Sequence, residues 1–280
     1  MTGTPRRMNR GQTQSAQPVP PPAARTQPRN IPRRDADSAK RVTLDRLLSK
    51  LGIASRSQAQ EWIRAGRVRI NQRLVRAPDT WVAWPGDTVS LDDKPLQPSP
   101  PRFILFHKPK GLVTTHQDEK GRQTIFDVLP PEMTRLHAVG RLDQATSGLL
   151  LLTNDSALSS LLTDPTRQVP RLYLVTVRGE LTEEARQAAL DGLDDQGERL
   201  QCESVTIQKR SGRESHVAVT LTEGKNREIR RLFKALGHEV TRLRRIQYGP
   251  FLLSDLPPGS WREIPIEDAR RQLQSRSSPV

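Results

Sequence analysis

One stretch of this chain leaves little freedom in how it can fold. Gly140-Arg141-Leu142-Asp143-Gln144-Ala145-Thr146-Ser147-Gly148 runs directly into Leu149-Leu150-Leu151-Leu152, which ends at Thr153-Asn154-Asp155. Consecutive leucines bounded by turn residues read as a buried strand followed by a turn. The polar, glycine-bracketed loop ahead of it then holds an arginine, a carboxylate and two hydroxyls at the mouth of that strand. Loops carried on a rigid scaffold are where binding and catalytic groups concentrate. Taken alone, the same loop also fits a charged surface turn with a local Arg141–Asp143 contact.

Composition narrows the partners. With 280 residues the chain has room for one or two domains and a sizeable core. Its formal net charge of +14 favours a polyanion, nucleic acid above all, or an anionic membrane surface. No apolar run approaches the roughly 20 residues that span a bilayer, so an integral membrane protein is not expected. Cys202 is the single cysteine. It can form no intramolecular disulfide, and no cysteine cluster is available for a structural zinc site. Its neighbours Glu203-Ser204-Val205-Thr206-Ile207 suggest a strand, so a packed thiol is expected. The start has no apolar signal-peptide core, and a reducing cytoplasm is the expected compartment.

Read in order, the chain divides by composition. Residues 1–40 are rich in proline and arginine and hold no aromatic residue. Such a segment cannot bury enough apolar surface to offset chain entropy, so a disordered basic arm is expected, either gripping phosphates or simply solvated. Beyond it, Leu44, Leu47, Leu48 and Leu51 recur at helical spacing, after Thr43 as a possible cap and before Gly52 as a stop. Ser55 can cap a second helix through Ala59, Trp62 and Ile63 to Gly66. Arg67-Val68-Arg69-Ile70-Asn71 alternates as a strand, and a Pro85-Gly86-Asp87 turn leads to Thr88-Val89-Ser90-Leu91. These elements make a small α+β module over 41–98. Arg56, Arg64, Arg67, Arg69, Arg73 and Arg76 gather around its second helix and first strand. Leu-x-x-Leu-Leu-x-x-x-Gly-x-Ala-Ser-Arg-x-x-Ala, followed by Gly-Arg-Val-x-Ile-Asn, is similar to the S4 RNA-binding domain. That resemblance implies a module docking on folded RNA by backbone and shape, with Arg56, Arg64, Arg67 and Arg69 as RNA contacts.

A proline-rich linker, Pro95 to Pro101, precedes a second domain over 102–268; residues 269–280 are expected to be a frayed tail. The domain opens with the apolar strand Phe103-Ile104-Leu105-Phe106, broken at His107-Lys108-Pro109-Lys110-Gly111. After the Asp143 loop and its strand, Asp155 can cap a helix through Leu162. Arg171 to Val177 is rich in β-formers, and Tyr173 shares a face with Val175 and Val177. Leu181 to Leu193 reads as a helix with Thr182 as a possible cap, and Val205–Ile207 and Val217–Leu221 read as strands. The stretch Glu223-Gly224-Lys225-Asn226-Arg227-Glu228-Ile229-Arg230-Arg231-Leu232-Phe233 then predicts a helix that Asn226 can cap and Gly237 ends. Ile229, Leu232, Phe233 and Leu236 form its apolar face, with Arg227, Arg230, Arg231 and Lys234 on the other side. Arg242, Arg244 and Arg245 extend a basic surface. Together the elements suggest a mixed α/β domain with a largely antiparallel sheet.

Three motifs fall in this second domain: Gly-Arg-Leu-Asp-x-x-Thr-Ser-Gly-Leu-Leu at Asp143, Lys-Pro-x-Gly at Lys108, and Gly-x-x-x-x-Ile-Arg-Arg-x-Phe at Arg230. With the module before them, they resemble the rRNA pseudouridine synthases, in the small-subunit/large-subunit branch that carries an N-terminal S4 domain. The resemblance implies the pseudouridine synthase fold and an isomerase that needs neither cofactor nor metal. On the family's pattern Asp143 is the catalytic residue. Tyr173 stacks near the target base or acts on its proton, Arg230 enters the pocket and pairs with Asp143, and Arg141 fills the space the base leaves. Lys108, Arg227 and Arg231 are expected on the RNA. The expected partner is rRNA or a ribosomal precursor particle, met by a monomer without membrane or small-molecule cofactor. Asn226 to Phe233 leans toward the large-subunit branch.

The chemistry agrees with the residues at hand. Making pseudouridine breaks a carbon–nitrogen glycosidic bond, turns the uracil and joins its carbon 5 to the sugar. No redox or phosphoryl step occurs, and the sequence has no G-x-x-x-x-G-K-[ST] loop or convincing dinucleotide fingerprint. A lone carboxylate could attack as a nucleophile or act as a base on the sugar, and both routes stay open. The uracil must leave the RNA stack, which costs a few kcal/mol. Thr146 and Ser147 are expected to shape the loop. The competing reading is a non-catalytic RNA-binding or ribosome-assembly factor with the same basic surfaces. An RNA methyltransferase would need a glycine-rich cofactor loop and a metal nuclease several converging carboxylates; neither pattern is found.

Overall fold

The computed structural model describes Gly3, residues 41–97 and residues 99–275. Apart from Gly3, the arm expected over 1–40 lies outside the described residues, as do Pro98 of the linker and 276–280 of the tail.

The first module is built from β1 (Arg41–Thr43), α1 (Leu44–Lys50), α2 (Arg56–Arg64), β2 (Val68–Ile70), β3 (Arg73–Val75), β4 (Trp81–Ala83), β5 (Val89–Leu91) and β6 (Lys94–Pro95). Strand β1 pairs with β4, and β3-β2-β5-β6 make a second sheet. Leu44, Leu47 and Leu48 of α1 and Ala59 and Ile63 of α2 close over Val68, Val82 and Val89 in one core. Ser55 caps α2 by accepting the Gln58 N–H. Thr43 does not cap α1 through its side chain: its hydroxyl donates to Asp45 Oδ1 at 2.6 Å. Asp45 is buried and also receives the Arg46 N–H, Gln60 Nε2 and the Arg56 guanidinium. Gly52 faces the following domain, where an added Cβ would lie 2.5 Å from Arg135 Cα; only glycine allows that approach at its positive φ of 65°.

The second domain adds β7 (Phe103–Lys108), β8 (His137–Val139), β9 (Ser147–Thr153), α3 (Ser156–Thr163), β10 (Arg171–Arg178), α4 (Glu183–Asp191), β11 (Leu193–Asp195) and β12 (Glu198–Leu200). There follow β13 (Ser204–Arg210), β14 (Glu214–Leu221), α5 (Glu228–Ala235), β15 (Val240–Tyr248), β16 (Phe251–Leu252), β17 (Trp261–Ile264) and α6 (Ile266–Gln274). Nine strands form its main sheet along the path β13-β14-β10-β15-β9-β7-β17, with β16 on β15 and β8 on β9. Its strand pairings are antiparallel except that of β15 with β9, which is parallel and holds for two residue pairs. The fold is thus a small S4-like α+β module followed by a mixed domain with a largely antiparallel sheet.

Both faces of the central strands are covered. Ile104, Phe106, Leu150 and Leu152 meet Ile229, Leu232 and Phe233 of α5 in one core. Phe103, Leu105, Leu149 and Leu151 meet Leu158, Leu162, Tyr248 and Phe251 in another. A strand buried on both faces has no polar side to alternate, which is why the leucine run is unbroken. Gly148 sits where β9 meets β15: an added Cβ would lie 2.1 Å from the Arg245 carbonyl oxygen, and its φ is +111°. A side chain there would push the Asp143 loop off the sheet.

Several expectations change. Strand β7 continues through His107 and Lys108, so Lys108 is a strand residue and not part of the turn. The expected tail is helical to Gln274, with Ala269 buried and Arg270 paired with Asp155 at 2.7 Å. The cap of α5 is Arg227 in a left-handed conformation, not Asn226. The basic surface expected at Arg242–Arg245 belongs to β15, and Arg245 is almost wholly buried. That strand is bulged against β10 near Thr241 and near Ile246, so its inward and outward positions lose their simple alternation.

Candidate active site

The loop before β9 is held by its Leu142 to Thr146 carbonyls, taken by four residues from different parts of the fold. Thr114 Oγ1 donates to the Leu142 carbonyl at 2.8 Å. The Gly111 N–H donates to the Gln144 carbonyl at 2.8 Å. Arg230 Nη2 donates to the Ala145 carbonyl at 3.2 Å. Lys108 Nζ reaches two at once, Asp143 at 3.1 Å and Thr146 at 2.8 Å. Buried backbone oxygens need such partners, and here the partners also set the loop's shape. Leu142 is buried in the core beneath it. What the loop leaves uncommitted is the Asp143 carboxyl, whose side chain is 33% exposed.

Asp143 stands on the partition between two cavities. One, of about 720 Å³, is lined by Thr114, Gln117, Lys120, Arg122 and Arg141. The other, of about 500 Å³, is lined by Tyr173, Arg171, Arg245, Tyr248 and the turn before α5. Asp143, Arg141 and Arg227 border both. Tyr173 is nearly buried on β10, and its ring joins the core while lining the second cavity. Tyr173 thus both packs in the core and lines the cavity. The sheet is paired on either side of β15, by β10 and β9, so β10 carries the tyrosine and the loop entering β9 the aspartate to the same opening.

The cation beside Asp143 is not the one expected. Arg227 Nη1 lies 3.5 Å from Asp143 Oδ2. Its backbone φ of 49° and ψ of 33° are uncommon for a residue with a Cβ, and strain of that kind gathers at functional sites. Arg230 instead bonds the Val240 and Ala145 carbonyls, and its buried Nε has no partner among the described residues. It still senses the aspartate: burial and the Arg227 charge make its guanidinium harder to protonate, and the Asp143 charge opposes them. Arg230 therefore acts on Asp143 through the loop backbone and the field, Arg227 through contact. No signal in the sequence pointed to this, because the expected Asn226 cap put Arg227 inside the helix beside Arg230.

The expected RNA contacts sort into three groups. Lys108 is fully buried on β7 and cannot meet a phosphate. Burial pushes its ammonium down to about 8, against the pull of Asp143. Arg231 is bound by Asp195 Oδ2 at 2.6 Å, the Asp195 carbonyl and Glu198, so it ties α5 to the β11–β12 hairpin. In the first module Arg56, Arg67 and Arg69 are exposed but paired with Asp45, Asp92 and Asp93. Arg67 also lies over the Trp62 ring at 4.6 Å. The Arg64 guanidinium and that of Arg141 are exposed and have no partner among the described residues. Cys202 is buried, and its thiol is pushed up to about 12 by burial and the Glu228 charge, as suits a packing residue. Among the described residues no group of three or more His, Cys, Asp or Glu could hold a metal ion, and no helix is long and apolar enough to cross a membrane.

Comparison with known proteins follows the same division. Residues 102–235 match the RNA pseudouridylate synthase family and residues 42–89 match the S4 domain. An uncharacterized RNA pseudouridine synthase of Aquifex aeolicus is 34% identical over 80% of this chain and 90% of its own. The ribosomal large subunit pseudouridine synthase B of Vibrio cholerae is 37% identical over 80% of this chain and 72% of its own. Among solved structures, a crystal structure of a pseudouridylate synthase superposes with a TM-score of 0.59 at 27% identity, covering 82% of this chain and 99% of that one. The matches of both domains, together with relatives more than 30% identical across most of their own length, make this chain a member of the RNA pseudouridine synthase family, an isomerase with an S4 domain at its N-terminal side.

Proposed function

We propose that this enzyme isomerises a specific uridine of ribosomal RNA in the cytoplasm, in the large subunit, with Asp143 as its catalytic residue. The observation that carries the assignment is the Asp143 carboxyl, which faces Arg227 at the border of two cavities on a loop whose Leu142 to Thr146 carbonyls are all held. The Vibrio cholerae relative, by name a large-subunit enzyme, supports the target. The target uridine leaves the RNA stack and enters beside Tyr173, whose ring supplies a stacking face. The glycosidic bond from C1′ to N1 breaks, the uracil turns, C1′ joins C5, C5 loses its proton, and N1 takes up that proton or one from solvent. Asp143 serves this sequence either by attacking the nucleoside or by removing a sugar proton. Arg227 and the half-buried Arg230 balance the carboxylate, and Arg141 at the shared rim takes the space the base vacates. The S4 module and the exposed Arg64 hold the RNA by its backbone.

A pseudouridine map of total rRNA, by carbodiimide modification and reverse transcription, tests this in cells lacking the gene. One site is expected to vanish, to return with the wild type, and to stay absent with Asp143→Ala. Restoration by Asp143→Ala would move the catalysis elsewhere. Persistence of every site without the protein would favour the assembly-factor reading.

A further inference from the structure

The turn that delivers Arg227 to Asp143 is closed by two carboxyl groups with one donor too few. Glu228, the first residue of α5, is 3% exposed. Its Oε2 accepts the Lys225 N–H at 3.1 Å. Its buried Oε1 has no donor. Glu223, at the other end of the same turn, lies within hydrogen-bonding reach of the Glu228 carboxyl. Lys225 Nζ is committed to Glu223 Oε1 and the Arg199 carbonyl. Two carboxylates in contact, one of them buried, cannot both be charged without a large repulsion. One proton between them removes the repulsion and supplies the missing donor.

We infer that Glu228 is held as a neutral carboxylic acid that donates to Glu223, and that this shared proton locks the Glu223–Arg227 turn so that Arg227 meets Asp143. Glu228 is thus a positioning residue, acting through Arg227, and the inference rests on the proposed role of Asp143. The surroundings agree. Burial, then the Glu223 contact and its charge, push the Glu228 acid up to about 7, and the Lys225 N–H and charge oppose them. The other ionisable groups at the turn are Cys202, which feels the Glu228 charge, and Arg171 of β10, whose guanidinium reaches the Thr222 carbonyl at 3.3 Å. Neither offers a hydrogen to Oε1. When pH rises past about 7 the proton leaves, the two carboxylates repel, and the turn releases Arg227.

The test compares wild type with Glu228→Gln, whose amide donates to Glu223 at every pH and still accepts from Lys225. Wild-type kcat/KM on an rRNA fragment is expected to fall about tenfold between about pH 6.5 and about pH 9. Glu228→Gln is expected to keep wild-type activity at the lower pH and lose most of that fall. Lys108 also titrates in this range, so the result lies in the difference between the two profiles. In parallel, carbon-13 NMR of labelled glutamate carboxyls in the full chain should show one group titrating near 7 that is missing from Glu228→Gln. Identical pH profiles, a folded but inactive Glu228→Gln, or no such resonance would overturn the inference. Wild type inactive at every pH would instead remove the proposed function, leaving the NMR titration to decide the shared proton.

Discussion

The arginines of the S4 module and the cations under the Asp143 loop are chemically alike and put to opposite uses. Arg56, Arg67 and Arg69 stand in solvent, each beside an aspartate of its own module. Lys108 and Arg245 are buried and Arg230 is half-buried, and all three bond main-chain carbonyls: Asp143 and Thr146, Leu149, and Ala145 and Val240 in turn. An exposed ion pair contributes little to stability and can exchange its partner for a phosphate. A buried cation on carbonyls cannot leave without stranding those oxygens, so it fixes geometry. Positive charge is thus presented to solvent in one region and fixes the shape of the Asp143 loop in the other.

The widest separation between the two regions should come from Asp143 itself. Asp143→Asn is expected to lower kcat/KM by about 10⁴-fold or more while RNA affinity changes by less than about threefold, because no cation is removed. Tritium release from RNA bearing 5-tritiated uridine, beside filter binding, reads both.

Lys108→Met comes next and tests whether a buried lysine is framework. It should lower kcat about 100-fold with KM little changed, and cost about 2–4 kcal/mol of stability in urea unfolding. A raised KM with kcat intact would return Lys108 to the RNA. The pH dependence has a definite sign. The folded ammonium releases its proton near 8, well below its ordinary value, so the unfolded chain holds more protons between about 8 and 10. This group's contribution to stability therefore rises with pH across that window, and the rise should be absent from Lys108→Met.

Asp45 is the module's counterpart, a buried anion rather than a buried cation. Burial works against its charge, but the bonds from Thr43, Gln60, Arg56 and the Arg46 N–H outweigh it and hold the carboxyl far below the usual range. The stability it adds is present above about pH 4 and is lost as the pH falls below that. Asp45→Asn should cost about 2 kcal/mol, and amide exchange in acid should open α1 and α2 before the central sheet.

The smallest effect belongs to single exposed charges. Arg64→Ala should weaken RNA binding about two- to fivefold and reduce the salt slope by about one. Arg231→Gln, which loses its ties to Asp195 and Glu198, should leave RNA affinity unchanged and show instead in stability. Equal effects of the two on binding would erase the distinction between the surface and framework charges.

What the sequence determined by itself was local. The leucine run marks a strand because no half-exposed element tolerates four such residues, and Ser55, Asp155 and Thr182 mark helix starts because their side chains cap the next turn. The glycine-bracketed loop was legible for the same reason, and with it the position of Asp143. Tertiary structure decided which cation meets which partner. Lys108 and Thr146 are 38 residues apart, and Arg230 and Ala145 are 85 apart. A lysine in a Lys-Pro turn and an arginine on a polar helix face look like surface charges until the sheet places carbonyls around them. Arg245 was hidden in the same way, because bulges in β15 break the alternation that would have marked it as inward. Periodicity reports which side of an element faces the core, but the partner of a buried charge depends on long-range register, and register is settled only when the strands assemble.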